Sequence, residues 1–255
     1  MKKQGAITRG CKVIGRWWVD VDKGDTSKHD YRSRLVAKEI NTGYEEGLYA
    51  TTPPLEALRW MLSEASTIDE AWRQEEKVIL ISDVSRAFFE APATRRIAVA
   101  LPDEALEEHE KGKNMVGILK MSLYGTRDAA ANFQGEVWRL MIRLGFTQSK
   151  YNSSLYHREA GGSGGASGPP TVTHGGGQRN NRKNGSVSVL IHGDDFVAVG
   201  YRQDIYEFRQ AIAGRFTVKD KLIGSDRASG EIQGTRVLNR IIRLKAEGWE
   251  YEAEQ

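Results

Sequence analysis

The chain has 255 residues, 39% hydrophobic and 28% charged, with a formal net charge of +3, enough for one large core or two modest ones. Its single cysteine, Cys11, excludes an internal disulfide and any zinc site built on paired cysteines. With so mild a net charge, any nucleic-acid footprint must come from charge placement, and residues 2–38 carry ten Lys and Arg against four Asp.

The N-terminus, Met1-Lys2-Lys3-Gln4-Gly5, is basic but lacks the apolar core of a signal peptide. No apolar run approaches the ~18 residues of a membrane span. A soluble intracellular protein, cytoplasmic or nuclear and without membrane partners, is expected.

Residues 13–21 and 31–38 read as strands joined by the charged turn Asp22-Lys23-Gly24-Asp25. Arg32 and Arg34 alternate with Tyr31, Ser33 and Leu35, so both guanidinium groups leave one face. With Lys38 they make either an anion-binding surface or an ordinary solvated face. Thr51-Thr52-Pro53-Pro54 then opens a helix with the stripe Leu55, Leu58, Leu62 and Ala65. Trp60 falls off that stripe and is expected to pack into the core. Residues 78–83, Val-Ile-Leu-Ile-Ser-Asp, form an apolar strand ending on a carboxylate. Asp83 there faces a steep desolvation cost unless paired or metal-bound; alternatively it caps the next helix.

Strands are expected at 97–101 and 115–121, with a charged connection at 106–114. From Arg127 to Leu144, the residues Phe133, Val137, Leu140, Met141 and Leu144 recur at helical spacing, and Gly145 ends the run. Residues 160–185 are rich in Gly, Ser, Pro and Asn and read as a disordered surface insertion. In residues 187–200, two apolar arms flank His192-Gly193-Asp194-Asp195, a hairpin with both carboxylates at its tip. Gly-Asp-Asp taken alone is ordinary turn chemistry. Ile205, Phe208 and Ile212 mark an amphipathic helix closing at Gly214, followed by strands at 216–219, 231–237 and 240–244. The alternation after residue 60 suits an α+β fold with helices on one face of an antiparallel sheet.

If the hairpin neighbours the 78–83 strand, then Asp83, Asp194 and Asp195 converge. Such a cluster repels itself at neutral pH and needs divalent cations to be tolerable. Carboxylate oxygens select hard ions, Mg²⁺ first, and a pair of ions suits in-line phosphoryl displacement. Spacing alone therefore points to metal-dependent phosphoryl or nucleotidyl transfer.

Six stretches in order resemble the reverse transcriptase of copia-type LTR retrotransposons, from about Trp17 to Ile242. Residues 31–38, Tyr-Arg-Ser-Arg-Leu-Val-Ala-Lys, look like the family's "YKARLVAKG", and residues 49–59 are similar to "ETFAPVARLTTIR". Residues 81–89, Ile-Ser-Asp-Val-Ser-Arg-Ala-Phe-Phe, resemble "QLDVKTAFL", the first catalytic motif. Residues 119–125 are similar to the start of "LKKSLYGLKQAPRAW", and residues 144–156 to "LGFKRSKADPSLY". His192-Gly193-Asp194-Asp195 stands where the family has "YVDD".

The resemblance implies a right-hand polymerase. About 1–60 and 91–127 would be fingers, about 61–90 and 128–244 a palm whose antiparallel sheet is backed by helices, and the thumb would be mostly missing. Asp83, Asp194 and Asp195 would be catalytic and, with the Val84 carbonyl, would hold two Mg²⁺ ions, with Mn²⁺ as a substitute. Arg32, Arg34 and Lys38 would reach the triphosphate or template backbone, and Phe88 would be the steric gate under the incoming sugar. Lys219 would protonate the leaving pyrophosphate or be a surface lysine. The partners would be an RNA or DNA template with its primer, and dNTPs.

The departures from the pattern are specific. His192 and Gly193 replace the family's Tyr and Val, and Asp128 replaces a Gln that contacts the nucleotide, where it would repel a triphosphate. Two other readings stay open: a diverged, inactive copy that at most binds nucleic acid, and an untemplated palm-fold nucleotidyltransferase or cyclase.

Overall fold

The computed structural model describes residues 1–41, 43, 48, 50–67, 75–159 and 185–253. The stretch 160–185, expected to be a disordered insertion, lies outside the described residues apart from Gly185. In chain order the elements are α1 (Lys3–Thr8), β1 (Lys12–Asp22), β2 (Tyr31–Lys38), α2 (Leu55–Ser66), β3 (Lys77–Val84), β4 (Ile97–Ala100), β5 (Val116–Ile118), α3 (Ala129–Arg143), β6 (Thr147–Gln148), β7 (Leu155–Arg158), β8 (Val187–His192), β9 (Asp195–Tyr201), α4 (Arg202–Ala213), β10 (Val218–Ile223), β11 (Gly234–Val237), β12 (Arg240–Lys245) and β13 (Gly248–Ala253). The fold is α+β. No helix among the described residues is long and apolar enough to cross a membrane.

The chain divides into two compact units, one of Met1–Ala50 with Arg86–Val137 and one of Thr51–Ser85 with Trp138–Gln255. In the first, a four-stranded sheet runs in the order β2-β1-β4-β5. Strand β1 pairs with β4 only over Lys12–Ile14, while its pairing with β2 runs from Gly15↔Lys38 to Asp22↔Tyr31. Beyond its root, therefore, β1–β2 is a two-stranded ribbon whose residues are mostly exposed. Ile14, Ala37, Ile97, Val99 and Leu123 make the core at that root.

In the second unit, a six-stranded antiparallel sheet has the order β10-β3-β9-β8-β7-β6. Ile79, Ile81, Leu190, Val197 and Val199 pack one face against Ala57, Leu58, Met61 and Leu62 of α2, and against Val237 and Ile242 of the small sheet β11-β12-β13. Helix α4 lies on the other face: a Cβ added to Gly200, the partner of Val78, would sit 3.4 Å from Ile205 Cδ1. Helices thus cover both faces and not one. The reason is visible in β3, where Val78, Ile79, Leu80 and Ile81 are all buried, a run that requires cover on each side.

Other expectations shift by position. Strand β5 is shorter than 115–121, and β10 begins at Val218 and runs on to Ile223. Trp60, expected in the core, is 45% exposed because the buried stripe of α2 is Ala57, Leu58, Met61, Leu62 and Ala65. Trp60 instead borders a cleft with Gly145, Tyr156 and Arg158.

Candidate active site

Strands β3 and β9 pair antiparallel in a register that sets Asp83 directly opposite Asp195. Opposed residues point to the same face. The Val84 N–H donates to the Asp194 carbonyl at 2.9 Å, which makes Val84 and Asp194 the hydrogen-bonded positions. Asp83 and Asp195 are then the close, non-hydrogen-bonded pair, with Cα atoms roughly 4.5 Å apart. On the other flank of β3, Lys219 of β10 stands opposite Asp83. The strand is therefore bordered by a carboxylate on one side and an ammonium on the other.

Asp194 sits in the two-residue turn between β8 and β9, exposed, while Asp195 begins the returning strand and is half-buried. Gly193 has φ +64, the sign that the first central position of a II′ hairpin needs. A Val there would be strained, so the departure from the family's pattern has a local physical reason. Asp83 does not act as a helix cap. The next helical turn, Ala87–Glu90, follows Arg86 at φ +57 and has no side-chain cap.

Burial pushes the Asp195 carboxyl up to about 6, and the charges of Asp194 and Asp83 push in the same direction, against a weaker pull from His192. The three acids thus feel one another. Asp194 and Asp195 also form part of the wall of a cleft of about 600 Å³, with Pro53, His192, Arg236 and the β11–β12 turn residues Leu238 and Asn239. Among the described residues, no three Asp, Glu, His or Cys side chains close on one point as a ready-made metal cage. The donor set still suits a hard cation: carboxylates from β3 and β9 and from the β8–β9 turn, mutually repelling, with Lys219 as the neighbouring cation of β10 and the other ligands left to water and phosphate as Mg²⁺ prefers.

The remaining sequence-predicted residues lie in the first unit. Arg32, Arg34 and Lys38 are exposed on β2, paired with Val21, Val19 and Gly15 of β1, and so share one ribbon face. The Arg34 guanidinium lies 5.7 Å from the centre of the Tyr124 ring, and Tyr124 packs on Phe88 at 4.6 Å and Phe89 at 5.7 Å. Tyr124 therefore joins Arg34 to Phe88, a link that sequence reasoning missed. Its position in a motif full of turn residues gave no packing period to read.

Asp128 corrects an expectation. It is buried and does not stand as a bare charge: Arg95 reaches it at 2.7 Å, and the Asn132 amide donates to it at 3.0 Å. The same Arg95 makes two 2.8 Å hydrogen bonds to the nearly buried Glu39, which also takes one from Lys12. The negative charge of Asp128 is spent on this ionic network.

A family model described as reverse transcriptase (RNA-dependent DNA polymerase) matches residues 6–164 of the chain. A retrovirus-related Pol polyprotein from transposon RE1 of Arabidopsis thaliana is 27% identical over 154 residues, covering 58% of this chain and 10% of that protein. The chain thus spans about a tenth of the length of the curated relative it matches.

Proposed function

The chain belongs to the copia-type reverse transcriptase (RNA-dependent DNA polymerase) family, and from that premise we propose that it is a retrotransposon polymerase domain that adds deoxynucleotides to a primer 3′-hydroxyl. The observation that carries the proposal is the register of β3 and β9, with Asp83 opposite Asp195 and the Asp194 turn latched to Val84. Tight-turn chemistry explains Gly193 but gives no reason for a third acid to face the hairpin across a ladder.

In this reading Asp83, Asp194 and Asp195 hold two Mg²⁺ ions, with the Val84 carbonyl as a further ligand. When bound, the ions lower the pKa of the primer hydroxyl and offset charge building on the α-phosphate. The chain's own side chains do the rest. Arg32, Arg34 and Lys38 contact phosphates, and Phe88, backed by Tyr124, fills the space a 2′-hydroxyl would need. Lys219 donates a proton from Nζ to the leaving pyrophosphate. In this reading about 1–60 and 91–127 are fingers and about 61–90 and 128–244 palm; the two compact units follow that division except that 51–60 belong to the second unit and 86–90 and 128–137 to the first.

Primer extension with Mg²⁺ or Mn²⁺ on RNA and DNA templates tests the proposal. Incorporation that follows template sequence supports it. Incorporation that ignores the template points to an untemplated nucleotidyltransferase, and none at all to a diverged, inactive copy.

A further inference from the structure

We infer that His192 adds an imidazole nitrogen to the carboxylate oxygens of the metal centre and so tilts its selectivity from Mg²⁺ toward transition ions such as Mn²⁺ and Co²⁺; the inference rests on the metal-centre reading above. Two registers place the side chain. His192 of β8 stands directly opposite Asp195 of β9, and Asp195 stands opposite Asp83 of β3. Opposed residues point to the same face, so His192, Asp195 and Asp83 form one row across three adjacent strands, with Asp195 in the middle. One step back on the same face, Leu190, Val197 and Ile81 repeat the row in apolar form and are buried in the core. His192 thus tops an apolar stack, half-buried, in the wall of the cleft that Asp194 and Asp195 also line.

The other described histidines each have a partner: His29 meets the Asp22 carboxylate, His109 the Glu107 carboxylate at 3.1 Å, and His157 the Ser188 hydroxyl at 3.0 Å. His192 has no hydrogen bond or ion pair among the described residues, not even with the carboxylate it faces. Its influence is nevertheless felt at Asp195, so the two groups are neighbours that do not close on each other. A half-buried imidazole beside a half-buried carboxylate, neither bonded to the other, is an arrangement of two ligands open to a third party.

Donor chemistry identifies that third party. Carboxylates on their own select hard ions and favour Mg²⁺, which keeps an oxygen shell. An imidazole nitrogen is a softer donor, whose affinity for divalent ions rises from Mn²⁺ to Co²⁺ and beyond. The Tyr that stands at this place in the family's motif carries a phenol oxygen and no nitrogen. His192 therefore changes the donor set from oxygen alone to oxygen with nitrogen. Lys219, at the other end of the row opposite Asp83, offers no lone pair while charged. His192 is thus the nitrogen donor that these registers bring to the acids.

The test is pulsed electron paramagnetic resonance of Mn²⁺ bound to the full chain, without nucleic acid or nucleotide, where a coordinated imidazole imprints nitrogen modulation on the metal signal. Wild type is expected to show that modulation, and His192→Gln to lose it while still binding Mn²⁺. His29→Gln, which removes the imidazole from the acid-rich β1–β2 turn, is expected to retain it. In competition titrations the preference of the site for Co²⁺ over Mg²⁺ should fall roughly 10-fold in His192→Gln, and His192→Tyr should behave the same way. The inference is overturned if the modulation survives in His192→Gln, if His29→Gln is the variant that loses it, or if the metal preference does not change. Mn²⁺ whose binding depends on Asp194 but carries no nitrogen signature sinks this inference and leaves the polymerase reading intact. Nitrogen-coordinated Mn²⁺ in a chain without templated incorporation sinks only the catalytic proposal. Mn²⁺ that fails to bind, or binds equally well to Asp194→Asn, overturns both.

Discussion

Asp83 and Asp195 face each other across the β3–β9 ladder, two like charges at a position where a folding domain gains nothing from them. Like charges directly opposite each other destabilise a sheet. Asp195→Asn should therefore raise the melting temperature of the protein in EDTA at neutral pH, by about 1–3 °C. Divalent cation should raise it for the wild type more than for the variant. A variant that melts lower than wild type in EDTA would mean that the pair is not under repulsion.

Lys219, on the opposite flank of Asp83, separates a proton donor from a charge. Lys219→Met should lower kcat about 100-fold with little change in the KM for dNTP. Lys219→Arg keeps the charge but holds its proton far too tightly to give it up, so it should be nearly as slow. Full rescue by Arg would assign Lys219 an electrostatic role only.

The Asp128 network makes a prediction against the family pattern. Restoring the family's residue with Asp128→Gln should leave the KM for dNTP unchanged and lower stability by about 1–3 kcal/mol, because Arg95 loses a buried partner. A lower KM with unaltered stability would mean that Asp128 does face the nucleotide.

Acid should loosen the same network. Burial raises the Glu39 carboxyl, but hydrogen bonds from Arg95, Lys12 and the Arg127 N–H overcome that and hold it at about 2, against an ordinary 4.5. A depressed carboxylate stabilises the fold fully above its unfolded value and loses that contribution as pH falls toward the folded one. The melting-temperature advantage of wild type over Glu39→Gln should shrink between about pH 4.5 and 2, a contribution of about 3 kcal/mol at most. An advantage that stays constant over that range would exclude Glu39 as its source.

The parts of the fold written in local periodicity were legible in the sequence. The Phe133 to Leu144 repeat of α3 and the hairpin around Gly193 each follow from a few neighbouring residues, and the α2 stripe does so in part: Leu58, Leu62 and Ala65 are buried as expected, whereas Leu55 is exposed and Ala57 and Met61 complete the buried face. What escaped depends on residues far apart. The convergence of Asp83 with the 194–195 pair was expected only on the condition that the hairpin neighbours the 78–83 strand; the register that sets Asp83 opposite Asp195 is fixed by whole strands and has no local sign. Asp128 looked like a free charge because Arg95, 33 residues earlier, carries no local sign of the contact. Helix α1 has a single buried residue, Ala6, and β13 alternates Glu with aromatics in a tail that reads as merely acidic. Neither has the stripe that periodicity needs. Trp60 shows the converse: an aromatic side chain invites a core assignment, and the helix phase overrules it.

The initial rate of templated dNTP incorporation, compared between wild type, Asp83→Asn and Asp194→Asn at equal fold content, tests the central claim most directly. If the β3 end and the β8–β9 turn form one metal centre, each single change removes several kcal/mol of charge stabilisation. Both variants should then lose at least about 100-fold in rate while circular dichroism stays that of the wild type. Template-directed incorporation at wild-type rate by either folded variant would contradict the account.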